Sequence, residues 1–402
     1  MNRLRILHVI PSASPNQGGP SFALPLIAQS LGTGGVVMDV ATTDDDGTGK
    51  HIESLLGQAV VRNGANYYYF RKQMEFYKVS FPFARWLSKE IRNYDLIHIH
   101  ALFSFTSCVA AHLAMKNGVP YVIRTLGVLN RWGMLNRRRI LKWLSFQLIE
   151  KRILRNAAAV HFTSHQEKNE AMMSGVVMNS AVIPLGIDVS TFAYQADAAQ
   201  FLARFPQAQG RKIVLFLSRI DPKKGLDLLL PAFAELRTKS PECLLVIAGE
   251  GAPPFVTELR RKAEELMIAD HILWTGFLAG QEKVSAISAA TIFVLPSYSE
   301  NFGIAPVEAL AAGLPVVISD QVGVAQDVNE FKAGLVVPCE VRALAKAMQS
   351  LITQPELRSR LASNARNLAA KKFSLEAMGT ALVDLYTGLL PSAKNAPLAK
   401  AL

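Results

Sequence analysis

Two glutamates, Glu300 and Glu308, carry the clearest candidate chemistry in the chain and lie eight residues apart. A short apolar run before them predicts a buried parallel strand. Pro306 fits the first turn of a following helix, and Gly313 fits its left-handed C-cap. We therefore expect Glu300 on the loop at the carboxyl end of the strand and Glu308 about one turn into the helix. In open α/β sheets that edge is where ligands bind.

The start of this helix predicts an anion site. The backbone N–H groups of Gly303, Ile304 and Ala305 would lack intrahelical partners, and the helix dipole adds partial positive charge there. A carboxylate on each side of an anion site matches a nucleotide-sugar, whose diphosphate is flanked by a ribose and a hexose with hydroxyls to donate. The alternative is a solvated strand–loop–helix with surface glutamates.

A second group of residues lies directly after the first predicted strand of the second half of the chain. In Leu217–Gly225, Arg219 and Lys224 fall at the carboxyl edge of that strand. Two fixed cations near a helix N-terminus suit a diphosphate and would neutralise charge as a nucleoside diphosphate leaves. The alternative is an exposed basic turn.

Two loops near the N-terminus are weaker candidates. Gly18 and Gly19 follow the first strand and would let the backbone approach a ligand, with Ser21 as the helix cap. The pattern is neither a dinucleotide fingerprint nor a P-loop, and a tight turn is the alternative. Asp44–Asp46 contains the Asp-x-Asp pattern that holds a metal in some sugar transferases. Its polar surroundings favour a solvated turn.

The elements that must position these residues alternate between strands and helices, which predicts βαβ units around parallel sheets. Two such α/β halves in series give predicted domains 1–188 and 189–375, followed by a C-terminal helix and tail at 376–402 that we expect to pack back toward the N-terminal domain. The predicted strands cover residues 4–10, 36–42, 95–99, 119–123, 158–162, 181–183, 212–217, 243–248, 272–274, 291–295, 315–318 and 334–337. A cleft between two such halves is a common ligand site.

Composition narrows the function class. The chain has 402 residues, of which 50% are hydrophobic and 19% charged, so it can bury sizeable cores. A net charge of +11 favours polyanionic partners or an anionic membrane surface, with ordinary basic surface helices as the alternative. No RNA-binding motif is recognisable, so we expect no nucleic-acid partner. Three dispersed cysteines argue against a disulfide framework or zinc site and favour a reducing cytosol.

Residues 136–155 form a basic amphipathic pattern. Basic and aromatic side chains cluster at one end: Arg137, Arg138, Arg139, Lys142, Trp143 and Phe146. Such a helix can lie on an anionic leaflet, and we expect peripheral membrane contact here. The alternative is a long helix that covers the first sheet and exposes a solvated basic face.

Together these motifs resemble a family 4 glycosyltransferase over roughly residues 4 to 390. Glu300 to Glu308 is similar to the family's Glu-x7-Glu element, and Arg219 with Lys224-Gly225 to its Arg…Lys-Gly element. Gly18-Gly19 resembles its N-terminal glycine loop, and Pro184–Asp188 its hinge. The resemblance implies the GT-B architecture, an α/β fold of two Rossmann-like α/β/α domains that face a central cleft.

The resemblance also implies an activity. A hexosyl group would pass from a UDP- or GDP-sugar to a saccharide or lipid-linked saccharide, with retention of configuration and without metal or other cofactor. The implied setting is cell-surface polysaccharide assembly in the cytoplasm, at the inner face of the plasma membrane. Glu300, Arg219 and Lys224 would be catalytic, with Glu300 on the donor sugar and the two cations on the diphosphate. The remaining donor-binding residues would be Gly18, Gly19, Phe277, Asn301, Phe302, Gly303, Ile304 and, at the ribose, Glu308.

The chain departs from the family pattern in the first half. Leu126 stands where many members have a histidine that follows a strand. We expect His100 or Arg124, both at strand ends, to substitute on the acceptor side. We place His98 and His100 on opposite faces of their strand, with His98 packed in the core. The alternatives to transfer are a 2-epimerase-like enzyme of the same fold, which Arg219 and Lys224 argue against, and a non-catalytic polyanion-binding protein.

Overall fold

The computed structural model describes residues 3–14, 16, 19–32, 34–129, 139–193 and 197–390. These residues form two compact units. One comprises Met1–Gly186 together with the chain from Leu375 onward, and the other comprises Ile187–Ser374. The C-terminal helix therefore belongs to the first unit, although the whole second unit precedes it in sequence.

The first unit is built on an eight-stranded sheet. Its strands are β1 (Arg5–Ser12), β2 (Val37–Thr43), β3 (Ala59–Arg62), β4 (Ala65–Phe70), β5 (Leu96–His100), β6 (Tyr121–Arg124), β7 (Ala159–Phe162) and β8 (Ser180–Val182). They lie in the order β3-β4-β2-β1-β5-β6-β7-β8, and the described pairs are parallel except β3 with β4. The carboxyl ends of the parallel strands thus share one edge.

Helices flank this sheet. They are α1 (Gly19–Gly32), α2 (Phe81–Glu90), α3 (Phe105–Asn117), α4 (Arg139–Ser145), α5 (Lys151–Asn156), α6 (His165–Met172) and, after the second unit, α16 (Leu375–Leu389). A single π-helical turn, Phe146–Glu150, joins α4 to α5. One face of the sheet, represented by Val9, Ile99 and Ile123, packs into an apolar core with Phe83 and Leu154.

The second unit has a six-stranded, all-parallel sheet. Its strands are β9 (Lys212–Leu217), β10 (Cys243–Ala248), β11 (Ile272–Gly276), β12 (Ile292–Leu295), β13 (Val316–Ser319) and β14 (Gly334–Val337), in the order β11-β10-β9-β12-β13-β14. β9 and β10 are apolar and almost wholly buried, as expected for strands covered on both faces.

The helices of this unit precede, connect and follow its strands. They are α7 (Val189–Ala193), α8 (Ala199–Arg204), α9 (Leu226–Arg237), α10 (Pro253–Glu265), α11 (Gly280–Ala289), α12 (Ile304–Ala312), α13 (Ala325–Phe331), α14 (Val341–Thr353) and α15 (Pro355–Lys372). Each strand-to-helix loop emerges at the carboxyl edge of the sheet, where Lys224 and Glu300 lie.

Every strand predicted from the sequence is present, within about two residues at each end. The sequence analysis missed the β3–β4 hairpin and helices α6, α7 and α13. Within the described residues, no helix is both long and apolar enough to cross a bilayer.

Candidate functional site

Lys224 and Glu300 are brought together from loops 76 residues apart. Lys224 ends a short 3₁₀ turn, Pro222–Lys224, that begins when the Asp221 carboxylate accepts the N–H of Lys223 at 3.0 Å. Its side chain is largely buried, and its Nζ forms an ion pair with the carboxylate of Glu300. The pair places one fixed cation and one acceptor group at the carboxyl edge of β9 and β12.

Close backbone contacts hold these loops in place. Tyr298 N–H donates to the Lys223 carbonyl at 2.7 Å, and Gly323 N–H donates to the Glu300 carbonyl at 2.8 Å. Gly225 has φ of +72°, and a Cβ there would lie 2.0 Å from the Pro296 carbonyl oxygen. Glycine is therefore required at residue 225 by conformation and by space. The position of the Lys224 side chain depends on the close packing of Gly225 against the Pro296 carbonyl.

Helix α12 begins at this same edge. Gly303 precedes it with φ of +99°, and Val307 N–H donates to the Gly303 carbonyl at 3.3 Å. The N–H groups of Ile304 and Ala305 come before that first intrahelical bond, so they lie at the positive end of the helix dipole. Phe302 is buried with its ring 5.8 Å from that of Phe373. The N-terminus is thus anchored and suited to an anion.

Glu308 lies one turn into α12 and has a partner that the sequence analysis missed. Lys283 on α11 places its Nζ 2.5 Å from Glu308 Oε1. Burial raises the pKa of the Glu308 carboxyl, and the ammonium of Lys283 acts in the opposite direction. Lys283 therefore favours the ionised form that can accept two ribose hydroxyls. Lys283 is a half-buried residue in the first turn of its helix, and no sequence motif identified it.

The remaining predicted donor residues lie on exposed or half-buried loop positions. Arg219 is exposed, Asn301 is half-buried, and Phe277 follows the left-handed Gly276 with 67% of its surface exposed. The pKa of Lys223 is lowered first by burial, and the charges of Lys224 and Arg219 act in the same direction. Arg219 therefore contributes to a locally positive loop.

The N-terminal glycine loop is described only in part. Gly18 lies outside the described residues, and Gly19 is the exposed first residue of α1. Ser21 was expected to cap this helix, which is wrong. The helix begins two residues earlier, and the Ser21 hydroxyl donates to the Ser12 carbonyl at 3.3 Å.

The expectation of a solvated turn at Asp44–Asp46 is also wrong. Asp44 and Asp45 are buried. Asp45 Oδ1 lies 2.6 Å from the buried Nζ of Lys72, and Asp44 Oδ1 accepts the Lys72 N–H at 2.7 Å. The chain that follows β4 folds over the loop, which local sequence did not reveal. Asp45 pairs with the side chains of Lys72 and Lys78, and Asp44 pairs with Arg71 and His51.

The two predicted acceptor-side residues, His100 and Arg124, are buried in the first unit and adjacent in register. The placement of His98 and His100 on opposite faces is wrong. Residues two apart on a strand share a face, and the two rings stack with centroids 4.4 Å apart. Leu126, which stands at the family's histidine position, is in a left-handed conformation with φ of +55°.

Comparison with known proteins decides the family. Residues 18–186 match the model of the glycosyl transferase 4-like domain, and residues 199–368 match the model of glycosyl transferases group 1. The chain belongs to the family 4 glycosyltransferases.

Two curated relatives of this family 4 chain act on different sugars. The alpha-D-kanosaminyltransferase of Streptomyces kanamyceticus is 32% identical over 251 residues, which are 61% of this chain and 63% of that protein. The GDP-mannose-dependent alpha-(1-6)-phosphatidylinositol monomannoside mannosyltransferase of Mycolicibacterium smegmatis is 30% identical over 250 residues, 59% of this chain and 64% of that protein. In both, the matched part is slightly less than two thirds of the relative's length.

Solved structures show the fold. Anabaena HepE in complex with UDP and glucose has a TM-score of 0.75 at 21% identity and covers 96% of this chain and 100% of its own. Sucrose-phosphate synthase from Thermosynechococcus elongatus has a TM-score of 0.73 at 22% identity, with 96% and 99% covered. The family 4 chain therefore has the GT-B fold, an α/β architecture with two parallel-sheet domains.

Proposed function

We propose that this protein transfers a hexosyl group from a UDP- or GDP-sugar to a saccharide or lipid-linked saccharide, with retention of configuration, in cell-surface polysaccharide assembly. The observation that carries the proposal is the Lys224–Glu300 ion pair beside the N-terminus of α12. A cation, a polar helix end and a carboxylate acceptor match the diphosphate and the sugar hydroxyls of such a donor. Curated relatives that transfer kanosaminyl and mannosyl groups support it.

The proposed mechanism uses these groups as follows. The anomeric carbon–oxygen bond to the diphosphate breaks while the acceptor oxygen bonds to the same face of that carbon. The acceptor proton passes to a phosphate oxygen of the departing nucleoside diphosphate. Arg219, Lys224 and the α12 N–H groups stabilise the negative charge that develops on the leaving group. Glu300 accepts hydroxyls of the donor sugar.

Glu308 would fix the nucleoside part by accepting the ribose hydroxyls, with Lys283 keeping it ionised. Phe277 offers an exposed aromatic face near the base, and Asn301 lines the donor loop. None of these steps requires a metal ion, because cationic side chains and backbone dipoles supply the charge. We therefore expect transfer at an undiminished rate in EDTA.

A thermal-shift panel with UDP, GDP, ADP and dTDP tests the donor site. One base should stabilise the protein clearly, and Glu308→Ala should remove that shift. The matching sugar nucleotides are then assayed with and without saccharide acceptors. Donor consumption that requires an acceptor supports transfer, and conversion of the donor alone indicates an epimerase. No response to any nucleotide, with or without liposomes, would refute the assignment.

We further propose peripheral contact with an anionic membrane surface, at the inner face of the plasma membrane, through residues 136–155. Arg137 and Arg138 lie outside the described residues, but α4 and the π-helical turn expose large apolar side chains: Ile140, Leu141, Trp143, Leu144, Leu148 and Ile149. Phe146 is buried and does not contribute. An exposed apolar stripe beside basic residues favours an interfacial helix over a solvated one.

Liposome flotation tests this contact. The protein should float with anionic vesicles at low salt, and the double variant Ile140→Ser with Leu148→Ser should remain at the bottom. Val177→Ser is the control, since Val177 is an even more exposed apolar residue of the same unit and lies outside the helix. Equal flotation of all three proteins would contradict the proposal.

A further inference from the structure

Five basic side chains project from one face of the first sheet. They are His8 on β1, His98 and His100 on β5, Arg124 on β6 and His161 on β7, and all are buried. His8 pairs in register with His98, and Arg124 with both His100 and His161. Since registered neighbours point to the same side of a sheet, the five side chains form one cluster, here called the basic face. The apolar core occupies the opposite face.

Two of the histidines are committed to a directed hydrogen-bond chain. His161 Nε2 lies 2.9 Å from the Ile183 carbonyl oxygen and must donate to it, so its Nδ1 accepts from His98 Nε2 at 3.3 Å. His98 Nδ1 then accepts the hydroxyl of Tyr386, on α16, at 2.7 Å. Both rings are neutral in this arrangement. This series of hydrogen bonds connects α16 to β5 and β7.

The other members of the basic face have unmet hydrogen-bonding capacity. Arg124 Nε, Arg124 Nη1 and His8 Nε2 are buried with no hydrogen-bond partner. His8 Nδ1 lies 2.9 Å from His100 Nε2. If His100 donates in that contact, His8 carries its proton on Nε2, which is then a third unsatisfied donor beside the two of the guanidinium. A buried cation that lacks hydrogen-bond partners strongly destabilises a protein unless an anion accompanies it.

The neighbouring carboxylate of Glu167 does not accept hydrogen bonds from the unpartnered nitrogens of Arg124. Glu167 acts on Arg124 through its charge, but its oxygens already accept from Thr125 Oγ1 at 2.8 Å, Gly127 N at 2.7 Å, and Thr163 N and Oγ1 at 2.8 and 2.9 Å. Burial lowers the pKa of Arg124 to about 10, so the guanidinium remains charged at neutral pH.

We propose that Arg124 and His8 bind a compact oxyanion, a phosphate or a carboxylate, at the basic face of the first unit. Arg124 has unmet N–H groups at Nε and at Nη1, which lie on different edges of the planar guanidinium. Either one can donate a charge-assisted hydrogen bond to an oxygen of such a group. His8 Nε2–H adds a further donor. His100 is a positioning residue, because its bond to His8 Nδ1 sets the tautomer of that ring.

The location agrees with a ligand site. His100 and Arg124 are the last residues of their strands, at the edge where α/β sheets bind ligands. The loops that follow hold three non-glycine residues with positive φ: Ala101 at +101°, Phe103 at +57° and Leu126 at +55°. Such backbone strain concentrates at binding and active sites.

The identity of the anion rests in part on the proposed function. If the protein transfers a sugar, this edge of the first unit is where an acceptor would bind. The oxyanion is then a phosphate or carboxylate substituent of the acceptor. The alternative is that the site binds free inorganic phosphate, which has the same oxyanion group.

A metal ion is the competing occupant. His8, His98 and His100 place ring nitrogens within 4.8 Å of one another, close enough for a shared ion. The cation Arg124 acts on all three rings, however, and would repel a second cation. Both nitrogens of His98 are also committed to the hydrogen-bond chain. The charge on this face therefore favours an anion.

Isothermal titration calorimetry with inorganic phosphate, at constant ionic strength, tests the site. Wild type should bind phosphate, and Arg124→Gln should weaken binding at least tenfold. Arg124→Lys keeps the charge but removes the guanidinium N–H donors, and His8→Gln removes the imidazole donor. Both variants should give intermediate affinity. Lys346→Ala removes a charge from an exposed helix position of the second unit that has no proposed role in binding, and this variant should bind phosphate as wild type does. Circular dichroism and melting temperature show that each variant is folded.

Three outcomes would overturn the proposal. Equal affinity in wild type, Arg124→Gln and His8→Gln would mean that the unsatisfied donors are met by water. Loss of binding in Lys224→Ala alone would assign the phosphate to the second unit. Zinc binding that is abolished by His98→Gln and insensitive to Arg124→Gln would make the basic face a metal site.

Two further ligands distinguish the sources. Glucose 1-phosphate or glucuronate binding at least tenfold more tightly than inorganic phosphate or acetate would assign the site to an acceptor substituent. Equal affinities would assign it to the free anion. The nucleotide panel tests the donor site around Glu308 in the second unit, whereas the phosphate titration tests the basic face. The two experiments therefore show separately whether the donor assignment or the oxyanion site is wrong.

Discussion

At the scale of single residues, Lys224 is the group whose charge most directly serves the proposed reaction. Glu300 holds that charge in the ligand-free chain, and a donor diphosphate would take over the ammonium. We expect Lys224→Ala to lower kcat/KM by about 10²–10³, the usual loss when one group that stabilises the leaving charge is removed. The melting temperature should fall as well, because the variant leaves the Glu300 carboxylate without its partner in a mostly buried ion pair.

The matched control is Lys346→Ala, on the exposed side of α14. It removes the same charge from the same unit without touching the loops at the carboxyl edge of the sheet. Steady-state rates with the donor found in the nucleotide panel make the comparison. If both variants lose activity equally, net charge rather than position matters, and Lys224 has no special place in the mechanism.

The pair Lys283–Glu308 predicts a pH dependence for nucleotide binding. Burial raises the pKa of Glu308, and Lys283 lowers it, so Lys283→Ala should leave a carboxyl with a still higher pKa. The protonated carboxyl loses acceptor capacity for the ribose hydroxyls. The dissociation constant of the nucleotide should therefore rise as pH falls, and this rise should begin at a higher pH in Lys283→Ala than in wild type.

Calorimetric titrations at several pH values would measure this. Lys283→Arg retains the positive charge and should follow the wild-type profile. Coincident profiles for wild type and Lys283→Ala would show that Lys283 does not control the ionisation of Glu308.

Some residues of the candidate site could be predicted from sequence, and others could not. Glu300 and Lys224 lie on short loops that directly follow apolar strands, so residue type and strand direction suffice to place them at one edge. Lys283 reaches Glu308 from a neighbouring helix, which only packing reveals. Asp45 is buried because Lys72, 27 residues later, folds over it. Burial by a segment that is distant in sequence leaves no local sequence pattern from which it could be predicted.

At the scale of elements, the loop between β9 and α9 depends on Gly225. Gly225→Ala would combine a left-handed backbone with a Cβ 2.0 Å from the Pro296 carbonyl oxygen. Gly276→Ala is the matched control, since its φ of +75° is nearly the same and nothing lies within 4 Å of the added Cβ. The control should lose about 1–2 kcal/mol from backbone strain alone.

We expect Gly225→Ala to lose clearly more stability than Gly276→Ala, because the carbonyl must also move. The displaced loop should carry Lys224 with it and reduce turnover. Chemical denaturation and steady-state kinetics test both statements. Equal destabilisation of the two variants would show that the close approach to Pro296 relaxes without cost.

The elements also show where sequence analysis fails. Long apolar strands such as β9 and β10 were found because both faces are buried. The β3–β4 hairpin was missed although Asn63-Gly64 is a strong turn signal, and both residues have positive φ, 50° and 81°. The strands on either side are four and six residues long, and β3 is largely exposed, so they lack a clear apolar pattern.

At the scale of the whole molecule, titratable groups are distributed unequally between the two units. The first unit buries four histidines, and the second contains a single histidine, His271. Burial lowers the pKa of His8 and His161 to about 3, and it lowers the pKa of His98 and His100 well below 6.5. The folded unit therefore excludes protons that its unfolded chain would take up.

This difference predicts that the first unit loses stability first on acidification. The histidine contribution is fully present above pH 6.5 and is lost as pH falls from about 6.5 toward 3. Burial raises the pKa of Glu150 to about 7, so the folded unit takes up a proton there before the unfolded chain does. Glu150 therefore offsets the loss of stability from the histidines by up to one proton. The net slope should be on the order of 3–4 kcal/mol per pH unit, which is large beside a domain stability of about 5–15 kcal/mol. No comparable set of histidines exists in the second unit.

Hydrogen exchange of the intact protein at pH 7 and pH 5, corrected for intrinsic rates, tests the prediction strand by strand. Peptides from β5 and β7 should lose protection before those from β10 and β12. His161→Gln can keep a donor to the Ile183 carbonyl but takes up no proton, so it should reduce the pH slope of the first unit by one proton. If β10 and β12 open first, or if His161→Gln leaves the slope unchanged, the buried histidines do not govern acid stability. The order of unfolding would then be set by packing in the two sheets and not by charge.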